Sequence, residues 1–323
     1  MPLENRCSLC RNMVDAEDLF CATCGREVEP AAGAPAPAQR ALEQGLLGFD
    51  CRGCGASMTY DAGAQALRCA FCGSSSLERQ PGTTGRERPS RRVPFAITEA
   101  RAQEAFRGWL RKGWLRPTRL QQEARLTSMV PAYVPCWAFQ AKTSTHWAAD
   151  SSATPPGARA DWCPVGGSSD GMVDGLLVVA SGSLRQEEVN ALEPWSLSGA
   201  VPYAREELEG TVVEDIGLSR RAARPHAMAA IEEAERTRCA AEVPGRSRNV
   251  KVNVLVTDMG SEPVLLPVWI AAYRWRERSF RFVLNGETAK AIGQAPTSVL
   301  KVALILLAAA IVLGLLGSAA LKT

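Results

Sequence analysis

The sequence predicts an α+β protein: two small four-cysteine ribbons, a mixed antiparallel sheet-plus-helix domain whose short internal repeat points to two similar halves, and one C-terminal transmembrane helix. Three observations predict it. Eight of the eleven cysteines form four C-x-x-C pairs, all in the first quarter of the 323 residues. The middle of the chain mixes helix-period stretches with β-branched and aromatic runs. The far end carries twenty residues without a charge.

The cysteine pairs are Cys7/Cys10, Cys21/Cys24, Cys51/Cys54 and Cys69/Cys72. Two cysteines three apart can place both sulfurs on one metal if the chain turns tightly between them. Gly25, Gly55 and Gly73 follow the second cysteine of three pairs, where glycine accepts positive φ; Arg11 stands there in the fourth. Read two by two, the pairs make two four-sulfur sites, the ligand set of structural zinc: Cys7, Cys10, Cys21 and Cys24 for one ion, Cys51, Cys54, Cys69 and Cys72 for a second. Disulfides would need an oxidising compartment, and MPLENRCSLC has no apolar signal-peptide core. A redox C-x-x-C normally stands alone. Two structural zinc ions in a reducing cytosol are therefore expected. Cys136, Cys163 and Cys239 read as small hydrophobes.

The expected organisation is a first ribbon over 1–29, a Pro/Ala-rich linker over 30–48, and a second ribbon over 49–78. A basic linker follows over 79–92, then an α+β domain over 93–298 and an anchor over 299–321. Within the α+β domain, Thr98 to about Lys112 has one apolar helical face (Ala102, Ala105, Phe106, Trp109, Leu110). SMVPAYVPCWAFQAKTSTHW is β-prone, with prolines that suit an edge strand. Residues 150–171, rich in Ser, Pro and Gly, read as a long loop. GLLVVA (175–180) reads as a strand, 186–192 as a short helix, and Arg220–Ala241 as a longer one with Pro225 near its first turn. Lys251–Thr257, Val264–Arg276, Ser279–Leu284 and Ala289–Gly293 read as four β runs, with Asn285-Gly286 as a hairpin signal. VPCWAFQA (134–141) and LPVWIAAY (266–273) form a faint duplication that aligns Pro135 with Pro267 and Trp137 with Trp269.

From Val302 to Leu321 the chain is long enough to cross about 30 Å of hydrocarbon, with Lys301 and Lys322 at its ends. This predicts a single-pass cell-membrane protein with the membrane lipid bilayer as one partner. Its bulk would be cytoplasmic.

FDCRGCGASMTYDAGAQALRCAFCGSSSLE resembles the TFIIB-type zinc ribbon. The segments VPFAITEARAQEAFRGWLRKGWLRP, YVPCWAFQA, VDGLLVVAS, LEPWSLSGAVPY and LPVWIAAYRWRERSFRFVLNGETAKAIG, with the closing anchor, resemble bacterial zinc-ribbon membrane proteins often labelled primosomal protein N′ or superfamily II helicase-like. The resemblance covers most of 49–323. It implies a cytoplasmic zinc-ribbon head, an α/β middle and an anchor. It also implies scaffolding beside ESCRT-III-like or flotillin-like proteins. Two departures stand out: Ala289-Lys290 after the Asn-Gly-Glu-Thr turn, and the additional first ribbon.

The helicase label fails on the sequence, which has no G-x-x-x-x-G-K-[ST] loop to cradle phosphate. Nor does it hold H-E-x-x-H or a Rossmann fingerprint. Asp170, Asp174, Glu187 and Glu188 read as a solvated face, and Cys136 with His146 as a dyad only if the fold joins them. Four-sulfur zinc leaves no position for water. No enzyme activity is expected. The expected role is a membrane-anchored adaptor that presents protein-interaction surfaces to cytoplasmic or membrane-associated proteins. The alternative is a membrane-tethered nucleic-acid binder of the transcription type. A net charge of +3 gives that alternative little support, and Asp15, Glu17, Asp18, Glu27 and Glu29 in the first ribbon would repel phosphate.

Overall fold

A computed structural model describes residues 6–15, 18, 20–28, 46–52, 57–61, 69, 74–79, 88–157, 160–208, 211–276 and 278–306. In chain order the elements are β1 (Leu46–Cys51), β2 (Ser57–Asp61), β3 (Leu77–Arg79), β4 (Arg91–Arg92), α1 (Glu99–Arg111), α2 (Leu120–Glu123), β5 (Arg125–Ser151), β6 (Cys163–Val179) and α3 (Gln186–Leu192). There follow β7 (Val201–Pro202), β8 (Val212–Glu214), α4 (Arg220–Glu242), β9 (Ser247–Trp275), β10 (Arg278–Asn285) and β11 (Ala291–Gly293). The fold is α+β with one mixed sheet, as the sequence predicts.

Two very long strands, β5 and β9, run antiparallel through the middle, from Arg125↔Arg274 to Ser151↔Ser247. The expected runs Lys251–Thr257 and Val264–Arg276 are thus one strand, which stays continuous through a register shift opposite Gln140/Lys142. Side chains alternate between faces. One face packs Trp137, Phe139 and Ala141 under α4 and Trp269, Ala271 and Tyr273 under α1. The other packs Val134, Cys136, Leu266 and Val268 under α3 and the second ribbon.

Two expectations are corrected. The proline-bearing segment is not an edge strand: β5 has β9 on one side and β8 and β6 on the other. Its prolines are tolerated because of where their backbone groups point. The Pro135 carbonyl accepts from Ala180 N on the β6 side, and the Pro267 carbonyl accepts from Gly286 N on the β10 side. The missing N–H of each therefore also faces away from the β5–β9 ladder. The second correction concerns 150–171, where 163–171 is strand rather than loop. Its glycines serve close approach. A Cβ on Gly167 would lie 2.8 Å from the Trp147 ring.

The faint duplication is a real one. β4–α1–β5–β6 repeats as β8–α4–β9–β10. Trp137 Nε1 donates to Leu218 O at 2.8 Å and Trp269 Nε1 to Ile97 O at 2.9 Å; each acceptor directly precedes the N-cap of a helix, Ser219 for α4 and Thr98 for α1. Gly217 N donates to Ala180 O as Ala96 N donates to Gly286 O. β8 runs parallel to β5 at Ala132/Tyr133, and β4 runs parallel to β9 at the matching Val264/Leu265. A local two-fold passes through the Val134↔Leu266 pair. Each short strand and helix packs on the long strand of the other copy, so each copy completes the other.

Residues 299–306 are helical. Their start is fastened by Ser298 N to Leu115 O and by Lys301 Nζ to the carbonyls of Trp114 and Arg116. Among the described residues no helix is long and apolar enough to cross a membrane. Most of the expected span, 307–321, lies outside the described residues.

Candidate metal centre

Two tight turns build the first ribbon, and they are near copies. Cys7 N donates to Asn12 O (2.9 Å) and Arg11 N to Cys7 O; Cys21 N donates to Arg26 O (2.7 Å) and Gly25 N to Cys21 O. Arg11 takes φ +59° where Gly25 takes +73°. Arginine thus adopts the left-handed backbone that glycine supplies in the other turn, at a steric cost on the order of 1 kcal/mol. The bridges Arg6↔Met13 and Phe20↔Glu27 close the two turns.

The turns bring the Cys7, Cys10, Cys21 and Cys24 sulfurs within 4.8 Å of one another. Cys7–Cys24 and Cys10–Cys21 stand at 3.5 Å. Four Zn–S bonds of about 2.3 Å in a tetrahedron require S···S of roughly 3.8 Å. The set therefore fits a zinc ion with little movement. Cys7 and Cys21 are buried and Cys24 is exposed. Hydrogen bonding from the Cys10 backbone lowers the Cys7 thiol to about 6, while burial raises Cys10 to about 12. Cys7 is thus readily a thiolate at neutral pH, and capture of a metal would release the proton of Cys10.

In the second ribbon Cys51 and Cys69 are both buried in one apolar cluster with Phe49. Cys69 N donates to Ser74 O at 2.8 Å, the same five-residue span that closes both turns of the first ribbon. Cys54 and Cys72 lie outside the described residues. β2 joins the main sheet through Met58↔Glu214 on β8.

Sequence reasoning missed how the first ribbon sits. Asn12 Nδ2 donates to Val256 O (2.9 Å), Met259 N donates to Asn12 Oδ1 (2.8 Å), and Met13 N donates to Met259 O (2.9 Å). The Met13 side chain is buried in the α4 cluster. Asp15 and Asp18 are paired with Arg224 at 2.8 and 3.4 Å, and Arg11 with Asp258 at 3.1 Å. The ribbon is therefore clamped to β9 and α4. Two of the acidic groups expected to repel phosphate are spent inside the molecule. The one local signal was the apolar pair Met13-Val14 beside a knuckle. Nothing local marks Arg224.

Other buried polar groups serve the frame. Glu214 accepts from Gly182 N, Ser183 N, Ser181 Oγ and Ser183 Oγ. Burial nonetheless raises its carboxyl to about 7. Burial would also raise Glu235, but Arg238, Thr145 and Thr143 hydrogen-bond to it and hold it below the ordinary carboxylate value. Cys136 and His146 lie ten residues apart on one continuous strand, about 33 Å, so the fold does not join them. Burial pushes the Cys136 thiol up, and Cys239 is likewise buried and raised. Asp170 and Asp174 stand on β6, Glu187 and Glu188 on α3.

No family model matches the chain, and no solved structure does. The chain is similar to the uncharacterized protein YdjG of Bacillus subtilis, with 27% identity over 315 residues, spanning 80% of this chain and 92% of that protein.

Proposed function

We propose that the chain is a non-enzymatic, membrane-anchored adaptor whose two zinc-bearing ribbons offer binding surfaces to other proteins. The first ion would sit on Cys7, Cys10, Cys21 and Cys24, the second on Cys51, Cys54, Cys69 and Cys72. One observation carries the reading: the first ribbon has two unlike sides. Its inner side (Asn12, Met13, Asp15, Asp18) is spent on β9 and α4. Its outer side leaves Leu9 and Phe20 62% and 59% exposed. Large apolar side chains held outward on a rigid metal-built turn suit protein contact. Four-sulfur zinc is coordinatively closed, so its contribution is shape rather than chemistry.

The anchor at 299–321 would hold this body at the cell membrane, with its bulk in the cytoplasm. Tyr273 Oη donates to Gln294 O at the end that leads to the anchor, and the first ribbon docks at Met259, ~45 Å away along β9. Such a spacing would keep the ribbon clear of the headgroups. The family resemblance suggests ESCRT-III-like or flotillin-like partners. Proximity labelling in intact membranes tests the reading with wild type, a Leu9→Ser/Phe20→Ser double variant and a Cys51→Ser/Cys54→Ser double variant. A shortened partner list is expected for each double variant. An unchanged list for both defeats the adaptor role.

A further inference from the structure

The two copies of the repeat differ at one edge. In the second copy β11 pairs with the outer edge of β10, at Phe282↔Gly293, Val283↔Ile292 and Leu284↔Ala291. The local two-fold maps Phe282, Val283 and Leu284 onto Leu176, Leu177 and Val178 of β6. No strand among the described residues pairs with the outer edge of β6.

A side chain stands in for part of that strand. Asn285 N donates to Lys290 O at the start of β11; at the matching place Val179 N donates to Gln186 Oε1 at 2.9 Å. Gln186 Nε2 donates to Leu177 O at 2.8 Å, the bond that position 292 is placed to make with Val283. One amide thus imitates a donor and an acceptor of a neighbouring strand. Around it lies a groove of about 610 Å3 with residues 173–179 of β6 as its floor. α3 contributes Gln186 and Asn190 from one face of the sheet, and α4 contributes His226 and Ala230 from the other. Asp174 and Glu193 line it, and no Lys or Arg among the described residues does.

We propose that this groove binds an extended, apolar segment of a partner protein carrying a lysine or arginine, which adds to β6 as an antiparallel strand where β11 adds to β10. Main-chain bonds to the edge supply affinity, and the groove walls supply side-chain selection. Asp174 and Glu193 favour the basic residue. Gln186 holds the edge until the segment arrives and swings aside as it docks. The proposal deepens the adaptor reading by naming a surface separate from the ribbons, so variants in the ribbons leave it intact.

The probe is a fluorescein-labelled peptide that copies residues 288–296, TAKAIGQAP, titrated by fluorescence polarisation against the full chain in detergent micelles. Saturable binding is expected, at least threefold tighter for Gln186→Ala. Methylating the peptide nitrogen that copies Ile292 should weaken it tenfold or more without altering the protein. Glu193→Lys, or glutamate in place of the peptide's lysine, should weaken it at least threefold. Absence of saturable binding to both wild type and Gln186→Ala overturns the proposal, as does binding indifferent to the N-methyl group. Self-association of the chain that the peptide disperses would overturn the partner segment in favour of a second copy. If Gln186→Ala fails to fold, the N-methyl and Glu193→Lys arms decide alone.

Discussion

The β5 half and the β9 half of the body share a skeleton and differ in what was added to it. Both hang a buried tryptophan from the residue before a helix cap, and both route a proline carbonyl to the returning strand. Around the β9 half, β11 closes the sheet and the chain runs on toward 299–306. Where α4 covers β5, α4 and residues 256–259 of β9 receive the first ribbon, and Gln186 guards a bare edge on β6. What is common holds the fold; what differs is where partners could enter.

The largest effect should come from what the halves share. Trp137→Ala and Trp269→Ala each remove a large buried side chain and orphan a carbonyl, at a cost of about 3–5 kcal/mol. Because each helix packs on the other copy's strand, both losses should appear in a single cooperative urea transition. Two separate transitions would break the duplication into independent parts.

Next comes the clamp. Arg224 holds Asp15 and Asp18, whereas α1 carries Gln103 at the matching place, where its side chain donates to Glu99 of its own helix. Arg224→Ala should cost about 3 kcal/mol, somewhat softened by the partial exposure of Asp15. Hydrogen exchange should quicken at 256–260 and in the first ribbon, and stay slow under α1. Equal quickening in both halves would contradict a local clamp.

A smaller effect tracks pH. Glu214 occupies the place that Val93 holds in the other half. Its carboxyl, raised by burial to about 7, keeps a proton in the folded state over a range where the unfolded chain has lost it. Stability should therefore fall as pH rises from about 4.5 to about 7, by up to about 3 kcal/mol, and level off above. Glu214→Gln should flatten that slope relative to wild type in a series of thermal melts. A parallel slope in both proteins would remove Glu214 from the account.

The smallest is a gain. Gly108 sits in α1 with nothing within 4 Å of an added Cβ, and α4 has Ala229 at the matching position. Gly108→Ala should stabilise by about 0.5–1 kcal/mol in the same urea titration. A loss would mean that the two helices are not equivalent there.

Features with local causes were legible in the sequence. The apolar stripe of α1, the helical stretch Arg220–Ala241, the Asn285-Gly286 turn and the spacing of Cys7, Cys10, Cys21 and Cys24 all write themselves into a few neighbouring residues. Long-range causes were not. Pro131 and Pro135 looked like edge residues because a sequence does not say which side of a strand a carbonyl serves. Gly166, Gly167 and Gly171 looked like loop because the Trp147 ring that requires Gly167 lies twenty residues away. The clamp joins Asp15 to Arg224, and the edge at Leu177 is recognisable only after β10 and β11 show what a completed edge looks like.

The account rests on both ribbons being built by metal. Metal content per purified full chain tests this most directly, measured in wild type, Cys7→Ser/Cys10→Ser and Cys51→Ser/Cys54→Ser. We expect two zinc ions per chain in wild type and one in each double variant. One or none in wild type, or two retained in either variant, would contradict the account.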